Sequence, residues 1–259
     1  MQVAPVKTNR IAIRSQCLFE VLDRHLHSFE DGSILAITSK LVAVCEGRVA
    51  AIEQCDKEAL IQRECDWFLP ATSNRYRVML TIKCQRLLPS AGVDESNGDG
   101  HYILWPADPQ AAANTVRAYL VDRFGCRHAG VLITDSTTGP LRRGVTRIAV
   151  ANSGFQALRS YVGLPDAFGR PLQMTEANVS EALAAAAVIV MGEGSEKTPL
   201  VVLRDLPFVH FQERDPSEEE LTALRIALDD DLYASVLRAA NWQQAPLLPK
   251  ASSPSTQNR

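Results

Sequence analysis

The chain has 259 residues, 46% hydrophobic and 22% charged, with a formal net charge of -3 at pH 7. That is enough chain and apolar content for a full buried core, and it lacks the basic excess that marks nucleic-acid binding. No apolar run reaches the ~18 residues of a membrane span, and Met1-Gln2-Val3-Ala4-Pro5 has no signal-peptide pattern. The expected setting is the cytoplasm, with neither membrane nor nucleic acid as a partner. Six cysteines (Cys17, Cys45, Cys55, Cys65, Cys84, Cys126) form no C-x-x-C pair, so they read as reduced packing residues.

Taken in order, residues 2 to 13 alternate weakly and predict a first strand. Leu18, Val21, Leu22 and Leu26 stand at helical spacing within Cys17 to Leu26. After the turn Glu30-Asp31-Gly32-Ser33, Ile34 to Ile37 reads as a strand that runs out into Thr38-Ser39-Lys40. Those hydroxyls and the ammonium suit phosphate; alone, Lys40 reads as a surface lysine. Lys57 to Phe68 is expected as an amphipathic helix with Leu60, Ile61, Cys65 and Phe68 inward, and Arg75 to Ile82 as a strand continued by Gln85 to Pro89. Ser90 to Gly100 is a loop of glycines and short oxygen-bearing side chains. Its Asp94, Glu95 and Asp99 either keep a turn solvated or serve a cation, though not at EF-hand spacing.

His101 to Trp105 predicts another strand, followed by a helix capped by Asp108, with Pro109 in its first turn, and stopped at Gly125. This helix leads to a buried strand, Gly130 to Ile133, and the order suggests a crossover unit. Past that strand come Asp135 and Ser136, a Gly-Pro turn, and Arg142-Arg143. Asp135 would sit at the carboxyl end of a strand, where open α/β sheets bind ligands. Two interpretations stay open: a metal-and-phosphate site with Arg142 and Arg143 as planar donors, or a capped turn with two solvated arginines. Val145 to Val150 is strand-like, and Val179 to Met191, with four consecutive alanines, is a helix able to pack closely. Pro199 to Leu203 is the last clear strand; Ser217 and Glu220 form a capping box opening a helix toward Leu228, and a second helical piece runs to Trp242. Residues 1–242 are taken as the folded domain, open to division into two intertwined subdomains, and 243–259 as a disordered tail. The chain lacks the P-loop, the G-x-G-x-x-G fingerprint and the G-x-S-x-G elbow.

Several segments together resemble the coenzyme F-420-0:γ-glutamyl ligases. They are Ser39-Lys40 through Glu46-Gly47-Arg48, Ala91-Gly92-Val93-Asp94-Glu95-Ser96-Asn97, Asp135-Ser136 with Leu141-Arg142-Arg143-Gly144, Tyr161 through Leu172, Thr175-Glu176, and the alanine helix ending in Met191-Gly192. The resemblance covers roughly residues 1 to 210. It implies a mixed α/β, two-part fold, with mixed sheets flanked by helices, that forms a homodimer. It implies a ligase that uses GTP and Mg²⁺ or Mn²⁺ to join L-glutamate to the carboxylate of a small-molecule acceptor. By the family's pattern the metal falls to Asp94, Asp135, Ser136 and Glu193. The nucleotide falls to Ser39, Lys40, Asn97, Met191, Gly192, Gly194 and Ser195, with a further stretch near Thr8 to Ile11. Lys40, Arg142 and Arg143 are the expected catalytic cations. This chain departs from the pattern at Val44, where the family has a second lysine, and at Thr137-Thr138-Gly139-Pro140, where an arginine is lost. These departures resemble a branch that elongates folates. A non-catalytic nucleotide or deazaflavin binder that kept the fold is the alternative.

Overall fold

Six consecutive buried residues, Ser33 to Thr38, mark the centre of the molecule. The computed structural model describes residues 1–13 and 15–246. In chain order it has β1 (Gln2–Val6), α1 (Leu18–His25), β2 (Ser33–Thr38), α2 (Ser39–Glu46), β3 (Val49–Ala51), α3 (Lys57–Glu64) and β4 (Trp67–Leu69). Next come β5 (Leu80–Lys83), β6 (Arg86–Pro89), β7 (His101–Ile103), α4 (Pro109–Phe124), β8 (Ala129–Thr138), β9 (Val145–Ser153) and β10 (Leu158–Ser160). The chain closes with β11 (Glu176–Asn178), α5 (Val179–Met191), β12 (Leu200–Arg204), α6 (Glu218–Ala223), α7 (Ala234–Ala239) and β13 (Gln243–Gln244). The architecture is mixed α/β.

The main sheet has the order β1-β12-β2-β8-β9, with β2 and β8 parallel and the other neighbours antiparallel. Both of its faces are covered, which is why its strands are continuous apolar runs rather than alternating ones. Ile34, Ala36, Leu132, Val201 and Leu203 face α5, which meets them with Leu183, Ala184 and Ala187. Leu35, Ile37, Val131, Ile133 and Val202 face the opposite layer, packed by Val21 and Leu22 of α1, Leu41 and Val42 of α2, and Val116 and Leu120 of α4. A further apolar cluster holds Leu60, Ile61, Phe68, Met79, Tyr102 and Leu104, around the sheet β13-β4-β5-β6 and the β3–β7 pair.

The caps explain where the best-anticipated helices stop. Asp108 accepts from the Ala111 amide, Pro109 opens α4, and Gly125 ends it in the left-handed conformation (φ 64°). Ser217 and Glu220 form the anticipated capping box of α6, but that helix ends at Ala223 rather than near Leu228.

The structure departs from expectation elsewhere too. The first strand ends at Val6, and residues 7–13 leave the sheet. The residues after Thr38 turn at once into α2, capped by the Thr38 hydroxyl on the Leu41 amide and closed by left-handed Gly47. The helix expected over Lys57–Phe68 stops at Glu64, and Phe68 is buried from a strand. Of the stretch Arg75–Ile82 only the part from Leu80 joins the sheet, in β5, and β7 pairs with β3 rather than β8, so β7-α4-β8 is not a crossover within one sheet. Gln243 and Gln244, expected in the tail, pair with Phe68 and Trp67; the rest of that tail from 247 on lies outside the described residues.

Close approach of α5 to the sheet depends on its alanines. Ala184→Leu is expected to cost about 1–3 kcal/mol through overpacking, read as a lower urea midpoint at unchanged slope. An unchanged midpoint would mean that the helix does not press on Leu132 and Val201 as closely as described.

Candidate active site

The parallel ladder of β2 and β8 ends at the pair Thr38–Thr134. One residue further, β2 has become α2 and β8 continues only against β9, so the two chains diverge around a cleft. Asp135 stands at that point. It is 7% exposed, and its carboxylate accepts from Ser39 Oγ at 2.9 Å and from Trp105 Nε1 at 2.5 Å. Burial lifts its pKa, and the bonds from Trp105 and Ser39, with the Arg147 charge, only partly offset that rise. Gly92 explains how Trp105 comes so near: a Cβ there would lie 2.1 Å from Trp105 Nε1, and its φ of +74° disfavours other residues as well.

The next residue of α2 reaches the other aspartate. Lys40 Nζ pairs with Asp94 Oδ2 at 2.6 Å and donates to Ser96 Oγ at 2.7 Å; the Ser96 amide donates to Asp94 Oδ1 at 2.7 Å. Burial pushes the Asp94 carboxyl up, but the Lys40 ammonium and the Ser96 bonds outweigh it and hold the group below the usual range. An antiparallel bridge between Asp94 and Ile103 fixes the loop at this position. Consecutive residues, Ser39 and Lys40, thus grip carboxylates that are 41 positions apart in the chain (135 − 94).

On the other side of Asp135, Ser136 Oγ donates to Glu193 at 3.0 and 3.2 Å. Arg147 completes this end: its guanidinium lies 3.3 Å from Glu193 Oε1 and donates to the Gly192 carbonyl at 3.3 Å. Arg147 is 7% exposed, and its Nε has no hydrogen-bond partner. The loop that carries these contacts is tied across the cleft by Asn97 Nδ2 on the Gly194 carbonyl at 3.2 Å. Together they enclose a cavity of about 370 Å³, whose wall includes Thr8 to Ile13, Lys40, Asn97, Arg147 and the segment Met191 to Pro199. The stretch 7–13 that leaves the sheet is therefore part of the cavity wall.

Of the residues predicted from the sequence, Lys40, Asn97, Met191, Gly192, Glu193, Gly194 and Ser195 line this cavity. Ser39, Asp94, Asp135 and Ser136 do not line it; Asp94 and Ser136 lie one bond behind it, on Lys40 and Glu193, and Asp135 is held by Ser39 and Trp105. Arg142 and Arg143 are exposed on the turn joining β8 to β9, and neither lines the cavity. The β8–β9 hairpin extends beyond the cleft, so its tip is carried away while Arg147, four residues past Arg143, points in. Arg147 and Trp105 are the two site residues that sequence reasoning missed. Val44 lines the cavity as part of an apolar patch with Ile11, Ile13 and Ile103. Among the described residues no three acidic, histidine or cysteine side chains stand as a ready-made metal cage.

Comparison with known proteins gives the family. The family model described as F420-0:Gamma-glutamyl ligase matches residues 9–205. The chain belongs to the F420-0:γ-glutamyl ligase family. It is similar to the coenzyme F420:L-glutamate ligase of Archaeoglobus fulgidus, 31% identical over 80% of this chain and 88% of that protein. Its similarity to the enzymes of the same name from Methanopyrus kandleri and Methanocaldococcus jannaschii is 29% and 31%, over 80% and 75% of this chain and 87% and 86% of those proteins. As an F420-0:γ-glutamyl ligase family member the chain is a ligase, and both aspartates and the Met191–Thr198 loop fall inside the matched segment. No helix among its described residues is long and apolar enough to cross a membrane.

The buried carboxylate at the centre has a cost that can be measured. Folding raises the pKa of Asp135 above its ordinary 3.8, so the group binds its proton more tightly folded than unfolded. It therefore subtracts stability at neutral pH, and subtracts less as the pH falls into the window between those two values. Asp135→Asn is expected to raise the melting temperature of the ligand-free protein at pH 7. A lower melting temperature would show that the bonds from Ser39 and Trp105 more than offset the burial.

Proposed function

We propose that this protein is a GTP- and divalent-cation-dependent γ-glutamyl ligase. It joins the amine of L-glutamate to the carboxylate of a cofactor acceptor, coenzyme F-420-0 or a tetrahydrofolate, through an acyl phosphate. The observation that carries the proposal is that the adjacent residues Ser39 and Lys40 bond Asp135 and Asp94, while Lys40 and the Glu193 loop line one cavity.

The chemistry follows from the side chains present. The acceptor carboxylate attacks the γ-phosphorus of GTP, forming the acyl phosphate and releasing GDP; the glutamate amine then attacks the acyl carbon and phosphate leaves. Lys40 and Arg147 hold fixed positive charge at the cavity wall, placed to bind phosphate oxygens and stabilise the charge that develops on them. The Nε of Arg147 is buried with its hydrogen-bonding capacity unused. The apolar patch of Ile11, Ile13, Val44 and Ile103 suits the flat face of a nucleobase, which makes Val44 a packing contact in place of an ionic one. Asp94, Asp135, Ser136 and Glu193 offer only hard oxygen donors, the set that Mg²⁺ or Mn²⁺ prefers. Asp135 fits such an ion further, because its direct partners are neutral and its burial leaves the charge in want of compensation. When bound, the ion would neutralise phosphate charge. Arg142 and Arg143 are left for long-range attraction of anionic substrates.

The separate apolar cluster around β4 to β7 supports a two-part organisation. A homodimer is supported by Leu164, Phe168 and Met174, which are 50%, 92% and 87% exposed on the segment between β10 and β11. We assign the protein to the cytoplasm on its substrates. Val44 is the feature that favours the second reading, a non-catalytic nucleotide or deazaflavin binder.

Incubation with GTP, Mn²⁺, L-glutamate and each acceptor, read by mass, is expected to give a glutamyl increment and GDP in equal amounts. Asp135→Asn should lower turnover by about 10²–10³-fold; GTP binding without any product from either acceptor would favour the binder instead. In sedimentation, Phe168→Glu is expected to convert a dimer to a monomer, and an unchanged dimer would move the interface elsewhere.

A further inference from the structure

A second cavity, of about 230 Å³, opens on β9 on the other side of Trp105. It is smaller than the ~300–1,000 Å³ usual for drug-sized ligands, and so suits a small metabolite. Besides Arg225, and Asp108, which is engaged as the cap of α4, its wall carries two opposite charges, Arg86 and Glu181. Each is held in place by the backbone of β9: Arg86 donates to the Val150 carbonyl at 3.2 Å, and Glu181 accepts from the Ala149 amide at 3.2 Å. Among the described residues neither has an ion-pair partner, and they do not pair with each other. Half-buried opposite charges that line one hollow without forming an ion pair are each left wanting a closer counter-charge. Burial pushes the Glu181 carboxyl up, with only partial relief from the Ala149 amide and the Arg86 charge. Arg225, beyond the end of α6, adds a second guanidinium to the wall, and buried Asn152 a polar edge.

Those groups match a zwitterion bearing an extra carboxylate. We propose that this cavity is the binding site for the free acidic amino acid, with its carboxylates on Arg86 and Arg225 and its ammonium facing Glu181. The preference for such a zwitterion rests on the cavity's own charges; its identity as L-glutamate, and its use as substrate, rest on the ligase reading. Position agrees with that use. Trp105 forms part of this wall and bonds Asp135 through the same indole, and Ala149 lies two residues along β9 from Arg147, or roughly 7 Å at strand rise. The amino acid would thus wait one side chain away from the phosphate cavity, with its amine shielded from the GTP-binding groups by the indole.

Calorimetric titration of the full chain with L-glutamate and with glutarate, which lacks the ammonium, tests this, with and without Mg²⁺ and a non-hydrolysable GTP analogue. Wild type is expected to bind L-glutamate at least tenfold more tightly than glutarate. Glu181→Gln should abolish that preference, and Arg86→Lys and Arg225→Gln should each weaken both ligands about tenfold while leaving binding of the GTP analogue unchanged. Melting curves identify any variant that fails to fold; Arg225 is exposed, so Arg225→Gln carries the test if the others do. Wild-type affinity in all folded variants, or no L-glutamate binding in any condition, overturns the proposal. The two readings fail separately. Product formation with wild-type KM for glutamate in these variants removes the cavity and keeps the ligase, whereas variant-sensitive glutamate binding without product keeps the cavity and removes the ligase.

Discussion

The site depends on a buried carboxylate whose direct partners are all neutral. Asp135 sits one residue past the end of the β2–β8 ladder, held by a serine hydroxyl and an indole N–H. An ion pair there would satisfy the charge and leave little for a ligand; neutral donors fix the geometry and leave the charge available. Much else is arranged to make that possible. Gly92 lacks a side chain so that Trp105 can approach, and Thr38 caps α2 so that Ser39 lies at its first position, facing Asp135. The neighbouring aspartate is treated the opposite way, neutralised by Lys40, so that the cleft carries one compensated and one uncompensated carboxylate.

Strand β9 organises the other half of the molecule's chemistry. It places Arg147 at the larger cavity, lends its Ala149 amide to Glu181 and its Val150 carbonyl to Arg86, and buries Asn152 beside them. One extended strand can do this because its backbone groups on the outer edge of the sheet are not used by a further strand. Helices α4 and α5 pack against this strand, and charged side chains use its free backbone groups.

Much of this was legible from residues alone, and the omissions have physical causes. Helices α4 and α5 announced themselves through a cap and a close-packing alanine run. Helix α2 did not, because Leu41, Val42, Ala43 and Val44 are all buried and show no period; Thr38 and Gly47 were its only local signals. The crossover expected from β7, α4 and β8 failed because chain order does not say which sheet a three-residue strand joins. Asp94, Asp135, Ser136 and Glu193 were placed by family resemblance; in the fold Glu193 lines the cavity, and Asp94 and Ser136 bond residues that line it. Arg142 and Arg143 stood out as a pair, yet hairpin length decides where an arginine ends up. That length carried them to solvent and turned Arg147 inward. Trp105 could not have been read from sequence, since its role comes from a glycine thirteen positions earlier (105 − 92).

The account stands on Asp94 and Asp135 acting on one bound ion and triphosphate through the shared start of α2. A double-mutant cycle on Mn²⁺-dependent GTP binding, with Asp94→Asn, Asp135→Asn and the pair, measures this directly. Groups that share a ligand should be strongly non-additive, with a coupling of about 0.5–3 kcal/mol. Losses that add within about 0.3–0.5 kcal/mol would mean that the two aspartates serve separate purposes, and would contradict the single cleft described.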